Sequence, residues 1–287
     1  MLILSQSNPD VVSSLITLVI WFLANTIILM ILVAIGLIIK GGWAETWNTV
    51  VDEFVSYHPV KPETQKYLLS YFKYYQYLTY QEKSNFEKKV QRFVNTKNFV
   101  QRGKLNEVTY ETKVLVAATA VQISFGLKSF RFRHFKRILL YPDSYYSKIR
   151  RQFHYGEVHP AGIVVLSVRR FLKDLLKDSD GINLGLHEFA HALYIENKML
   201  SVENRFLNQI ALDEFAKIGK EEMVRIKNGE SELFRPYGAN NLFEFFSVSV
   251  ELFFEKSIEL HHHSPKVYYS LTKILNQDPV LITTQRI

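Results

Sequence analysis

The sequence predicts an α+β fold, mostly helical with a small sheet, preceded by one transmembrane helix. Three observations predict it: a long uncharged apolar run at the amino terminus, helical apolar spacing through most of the remainder, and two short strand-like runs in the middle, the second β-branched. With 287 residues, 47% hydrophobic and 22% charged, the chain can bury one sizeable core or two small ones. It has no cysteine, which excludes a disulfide framework, a thiolate metal site and a cysteine nucleophile. Any metal must be held by His, Asp or Glu.

From Val11 to Ile39 no residue is charged, and only Ser13, Ser14, Thr17, Asn25 and Thr26 interrupt the apolar side chains. That exceeds the ~20 residues needed to cross ~30 Å of hydrocarbon. A cleaved leader would carry a basic start and a shorter apolar stretch, whereas the residues before this run carry Asp10 and no Lys or Arg. Lys40, Gly41-Gly42, Trp43 and Trp47 read as a snorkelling end, a helix stop and interfacial aromatics. Residues 1–42 are therefore expected to be a retained transmembrane anchor. Because basic residues follow this helix and none precedes it, the positive-inside rule puts the carboxy-terminal body in the cytoplasm.

His58-Pro59 and Lys61-Pro62 disfavour helical angles, so 43–62 reads as a juxtamembrane linker and the folded domain spans 63–287. Two helices are expected between Glu63 and Thr96 and a buried one from Val108 to Phe125. Arg137–Tyr141 and Gly162–Ser167 are candidate strands. Further helices are expected around Gly181–Asn197, Asn240–Phe254 and Pro265–Leu275.

His187-Glu188-Phe189-Ala190-His191 is an HExxH sequence within a helical segment. Spacing of i and i+4 puts both imidazoles on one face, one turn apart, where they can take adjacent corners of a zinc tetrahedron. Leu184, Leu186, Phe189, Ala190 and Leu193 pack the other faces. A catalytic metal needs a third protein ligand, and NNLFEFFSVSVELFF (240–254) offers Glu244 and Glu251 two turns apart on one face of an apolar helix. Buried carboxylates there require something cationic. A metal on Glu244 and an imidazole N–H of His187 or His191 on Glu251 would satisfy both; Arg or Lys partners, or solvent, are the other solution.

The His187–His191 motif within NLGLHEFAHAL, followed by Tyr237-Gly238-Ala239-Asn240, Glu244-Phe245-Phe246 and Glu251-Leu252-Phe253-Phe254, resembles the Mlc titration factor A family of zinc peptidases. VTYETKVLVAATAVQISFGL, ILLYPDSY and GIVVLS agree in order, so the likeness covers most of Phe72–Leu275. That family is similar to the catalytic domain of anthrax lethal factor, in which a tyrosine stands seven residues before the ligand glutamate, the spacing of Tyr237 and Glu244. The resemblance implies a zincin-like, gluzincin-type metallopeptidase domain. It further implies Zn2+ on His187, His191 and Glu244, Glu188 as general base, and Tyr237 as hydrogen-bond donor to the developing oxyanion. Glu251 would orient a ligand histidine, and Gly162–Ser167 would be the sheet edge that receives a peptide substrate. Aminopeptidase activity is one expectation the family raises.

Two features depart from the family. The helix at 11–39 is an addition, and ALYIENKMLSVENRF after the motif replaces an acidic, glycine-rich continuation. The expected partners are thus a peptide or protein substrate and the membrane. The alternative function is a zincin-fold binding module that recruits a regulatory protein there. The net charge of +7 gathers partly in Lys128–Arg151, interleaved with phenylalanines; this reads first as a solvated face, then as a lipid-headgroup surface, with nucleic acid last. His261-His262-His263 reads as a polar loop, and His58, His134, His154 and His159 receive no role.

Overall fold

The computed structural model describes residues 9–39, 59–104, 107–127, 130–147, 151–177 and 179–284. The chain divides into two units, Met1–Tyr57 and His58–Ile287. In the first, helix α1 runs from Pro9 to Ile39. Its Ser13–Gly36 stretch, 24 residues with none buried, is long and apolar enough to cross a membrane. At about 1.5 Å per residue it spans about 36 Å. Three of its polar side chains bond back to the helix backbone: Thr17 Oγ1 donates to Ser13 O at 2.8 Å, Asn25 Nδ2 to Trp21 O at 2.7 Å and Thr26 Oγ1 to Leu23 O at 2.8 Å. The exit signals expected at Lys40–Trp47 lie outside the described residues, as does most of the 43–62 linker.

The second unit opens with α2 (Pro62–Tyr71), the short α3 (Lys73–Gln76) and α4 (Tyr80–Thr96). Three helices stand where two were expected, because Phe72 leaves helical angles (φ −118°, ψ 90°) to bury its ring. Thr79 and Glu82 form a reciprocal capping box that starts α4. After β1 (Asn98–Gln101), α5 (Tyr110–Ser124) is buried on almost every side, as its apolar sequence requires.

Then come β2 (Arg137–Tyr141), the β3–β4 hairpin (Tyr145–Ser147, Gln152–His154), β5 (Gly156–His159), β6 (Ile163–Ser167) and α6 (Val168–Leu176). The main sheet has the order β1-β2-β6-β5. β1, β2 and β6 are parallel, while β5 runs antiparallel to β6 with Gly156 opposite Leu166 and His159 opposite Ile163.

This order corrects the expectation that Gly162–Ser167 is a sheet edge. β6 is bonded on both sides, which is why it reads as a continuous apolar run. The outer strands are β1 and β5, and the one beside β6 is β5, whose sequence GEVH is too short and polar to declare itself a strand.

Helix α7 (Leu184–Met199) carries the HExxH sequence and packs against β5, β6, α5 and α9. Gly185 permits this approach, since a Cβ there would stand 2.7 Å from the Phe171 ring and 3.0 Å from Thr119 Cγ2. Then follow α8 (Gln209–Lys227), α9 (Leu242–Glu255), α10 (Ser257–His263), α11 (Pro265–Leu275) and α12 (Pro279–Thr284). Two expectations change here. The region after the motif contains a 19-residue helix, α8, capped by Asn208 and burying Ala211, Leu212, Phe215, Gly219 and Ile226. His261–His263 form the last turn of α10 rather than a loop, ended by Ser264 before Pro265 opens α11.

A candidate metal centre

Two capped helices bring the candidate metal ligands together. Asn183 Oδ1 accepts the Leu186 N–H at 3.0 Å and starts α7, which places His187 and His191 one turn apart on the face toward α9. Asn241 Oδ1 accepts the N–H groups of Phe243 (2.9 Å) and Glu244 (3.0 Å), so Glu244 sits in the first turn of α9. Across the helix pair, His187 Nε2 and His191 Nε2 are 3.0 Å apart. Glu244 Oε2 stands 3.2 Å from the first and 3.3 Å from the second. Among the described residues these three form the group able to hold a metal ion, and all are buried.

Tetrahedral ligands at zinc-like distances of about 2.0–2.1 Å lie about 3.3 Å from one another, so the triangle has the dimensions of three corners around one ion. Its chemistry points the same way. Glu244 Oε2 is buried and accepts no hydrogen bond, an acceptor left for a cation. Burial would raise the Glu244 pKa, but the two imidazoles outweigh it and hold the carboxyl well below the usual carboxylate range. Burial likewise lowers both histidines. In His187 it is overcome by Glu244 and Glu251, which push the pKa up to about 10; in His191 it prevails and the pKa falls to about 4.

The outer nitrogens are equally determined. His187 Nδ1 donates to Glu251 Oε1 at 2.7 Å, and His191 Nδ1 pairs with Ser247 Oγ at 2.9 Å. Each ring thereby turns its Nε2 toward Glu244. Glu251, 1% exposed, is gripped from three sides: Arg235 Nη2 donates to Oε1 at 2.5 Å, Arg235 Nη1 to Oε2 at 3.1 Å, and the Asn183 N–H to Oε2 at 2.6 Å. Both solutions that the sequence left open for Glu251, an imidazole and an arginine, are present at once. His191 also stacks on Phe243, ring centroids 3.9 Å apart.

Glu188 is buried beside the trio, directly under edge strand β5. A Cβ on Gly156 would lie 2.5 Å from Glu188 Oε1, so only glycine lets the strand backbone pass over this carboxylate. Tyr237 lies in the 3₁₀ turn Pro236–Ala239, half-exposed, its ring centroid 5.9 Å from that of His187. Next to Gly156, Glu157 is buried, accepts the Tyr145 hydroxyl at 3.2 Å and lies 3.3 Å from His159 Nε2. Burial first, and then this carboxylate, hold the Tyr145 phenol well above its ordinary range.

Sequence reasoning thus anticipates His187, His191, Glu244, Glu188, Glu251 and Tyr237 as neighbours of one site. It misses Arg235, Ser247, Asn183 and Gly156. Asn183 could have been found as a helix cap; the others carry no periodic or motif signal.

Comparison with known proteins agrees with this geometry. The family model described as "Glucose-regulated metallo-peptidase M90" matches residues 45–275. An uncharacterised protein of Synechocystis sp. is 28% identical over 275 residues, covering 90% of this chain and 99% of its own length. The match extends over most of the chain, which belongs to this metallopeptidase family.

Proposed function

We propose that this member of the M90 metallopeptidase family is a zinc-dependent peptidase held at the membrane by α1, with its folded unit on the cytoplasmic side. The observation that carries the reading is the triangle of His187 Nε2, His191 Nε2 and Glu244 Oε2, with edges of 3.0, 3.2 and 3.3 Å beside a buried glutamate. A zinc ion held by these three would supply Lewis acidity and a bound water whose pKa falls toward ~7.

The protein's own groups do the rest. Glu188 accepts a proton from the attacking water and delivers it to the leaving nitrogen, a transfer within one side chain's reach. Tyr237 donates its phenolic hydrogen to the substrate carbonyl oxygen as negative charge develops there. Arg235, through Glu251, holds the His187 ring in place. Outer strand β5 is paired with β6 on one side, and an extended peptide adds along its other side as a further strand, where Gly156 brings the backbone against Glu188. This substrate strand is β5, in place of the β6 segment the sequence suggested. Zinc is favoured over harder ions by two imidazoles and one carboxylate in a three-ligand set that leaves a position open.

The test is metal content of the detergent-solubilised full chain by mass spectrometry, beside His187→Ala and Glu244→Ala. About one zinc per chain, lost in both variants, is the expected result. A well-folded protein without metal would refute the peptidase reading and leave a binding module.

A further inference from the structure

A cavity of about 310 Å3 opens between the Phe72–Tyr77 turn, the start of α7, the α9–α10 junction and α12. None of the candidate metal ligands lines it. Its walls are aromatic at Phe72, Tyr74, Tyr77 and Phe254, and Glu255 faces it from the end of α9.

Glu255 accepts the Asn183 Nδ2–H at 2.8 Å and the Gly181 N–H at 3.1 Å, both neutral donors. Glu251 and Asp180 add negative charge nearby, and burial first, then these neighbours, push the Glu255 pKa up to about 8. The other charged lining residues are Lys73 and Glu259, so carboxylates outnumber ammonium groups two to one. A largely buried carboxylate supplied only with neutral donors is stabilised by a cation, and aromatic faces attract one. A cavity of this size lies at the lower end of those that hold small organic ligands.

We propose that this cavity binds a small organic ammonium ion, its nitrogen against Glu255 and its apolar part against the aromatic walls. The site is independent of what the metal centre does, but not remote from it. Asn183, which holds Glu255 through its side chain, gives its backbone N–H to Glu251, and Glu251 holds His187. A cation at Glu255 therefore sits one residue away from the network that orients a metal ligand.

Isothermal titration of the full chain in detergent tests this with 2-phenylethylammonium and its neutral counterpart 2-phenylethanol, each corrected for transfer into empty micelles. The ammonium ion is expected to bind at least about tenfold more tightly, to bind equally well after chelation of the metal, and to lose its advantage in Glu255→Gln. Tyr77→Ala, at a partly exposed wall position, weakens ammonium binding and keeps the test decisive if the Glu255 variant does not fold. Equal affinity for amine and alcohol would mean an apolar cavity only. Loss of binding on chelation would place the amine at the metal. Binding indifferent to both substitutions would place it elsewhere. Each of these three results overturns the proposal.

Discussion

Gly156 lies over Glu188 so closely that a single added methyl group would stand 2.5 Å from the carboxylate oxygen. The edge strand and the buried glutamate are thus fixed in one relationship, and Gly156→Ala must move one or the other. Displacements of this size cost about 10²-fold in catalysis when they misplace a reacting group. We expect peptide hydrolysis to fall by about that factor while metal content stays at the wild-type level. Unchanged kcat/KM in peptide assays would show that β5 plays no part in the reaction.

Glu188→Gln keeps the shape of the side chain and removes its basicity. Hydrolysis should fall by about 10²–10⁴-fold with metal retained. Mass spectrometry and a peptide-library assay on the same preparation separate the two readouts. Substantial residual activity would move the role of general base to another group.

Glu251 and Arg235 support the site from outside the trio of candidate metal ligands. Glu251→Gln leaves a hydrogen-bond acceptor for His187 but removes the charge, and metal affinity should weaken about 10–100-fold in competition with a chelator. Arg235→Leu leaves a carboxylate that is 1% exposed without its guanidinium. Breaking such a pair costs about 3 kcal/mol, visible as a lower denaturation midpoint in urea.

Glu255 makes stability depend on pH in a stated direction. Its folded-state pKa is raised from 4.5 to about 8, so between those values the folded state binds more protons than the unfolded one. Stability from this group is complete below about pH 4.5 and is lost as pH rises through about 8. Urea midpoints at pH 5, 6.5 and 8 should fall accordingly in the wild type, and Glu255→Gln should flatten the trend. A slope unaltered by the substitution would assign the effect to other groups.

If α1 crosses the bilayer, charges in its centre will be costly. Val19→Arg with Ile27→Arg should cost about 2.5–3.5 kcal/mol each on insertion, and fractionation should then find the double variant outside the membrane pellet. Retention of wild-type chain in the pellet after high-salt washing distinguishes spanning from surface adsorption.

Local signals explain which parts of this molecule could be read in advance. The HExxH spacing, the apolar stripe around Glu244 and Glu251, and the uncharged run at Val11–Ile39 each follow a fixed period or length, so a linear chain displays them. β2 and β6 are legible as short apolar runs bounded by Pro142 or Gly162, the second rich in β-branched residues. Helix α8 was also within reach, through its Asn208 cap and its apolar spacing. His261–His263 misled because polarity alone does not distinguish a loop from the last turn of a short helix.

By itself, the sequence determined the presence of a membrane-length helix, the pairing of two histidines on one helical turn and the need of two buried glutamates for cations. Tertiary structure alone decided that β5 rather than β6 is the sheet edge, that Gly156 carries that edge over Glu188, and that Arg235 and Asn183 converge on Glu251. Strand order and long-range hydrogen bonds join residues far apart in the chain, from 16 positions for Arg235–Glu251 to 68 for Asn183–Glu251. Periodicity describes only which face of a single element is apolar; which elements then meet is settled by packing the whole core.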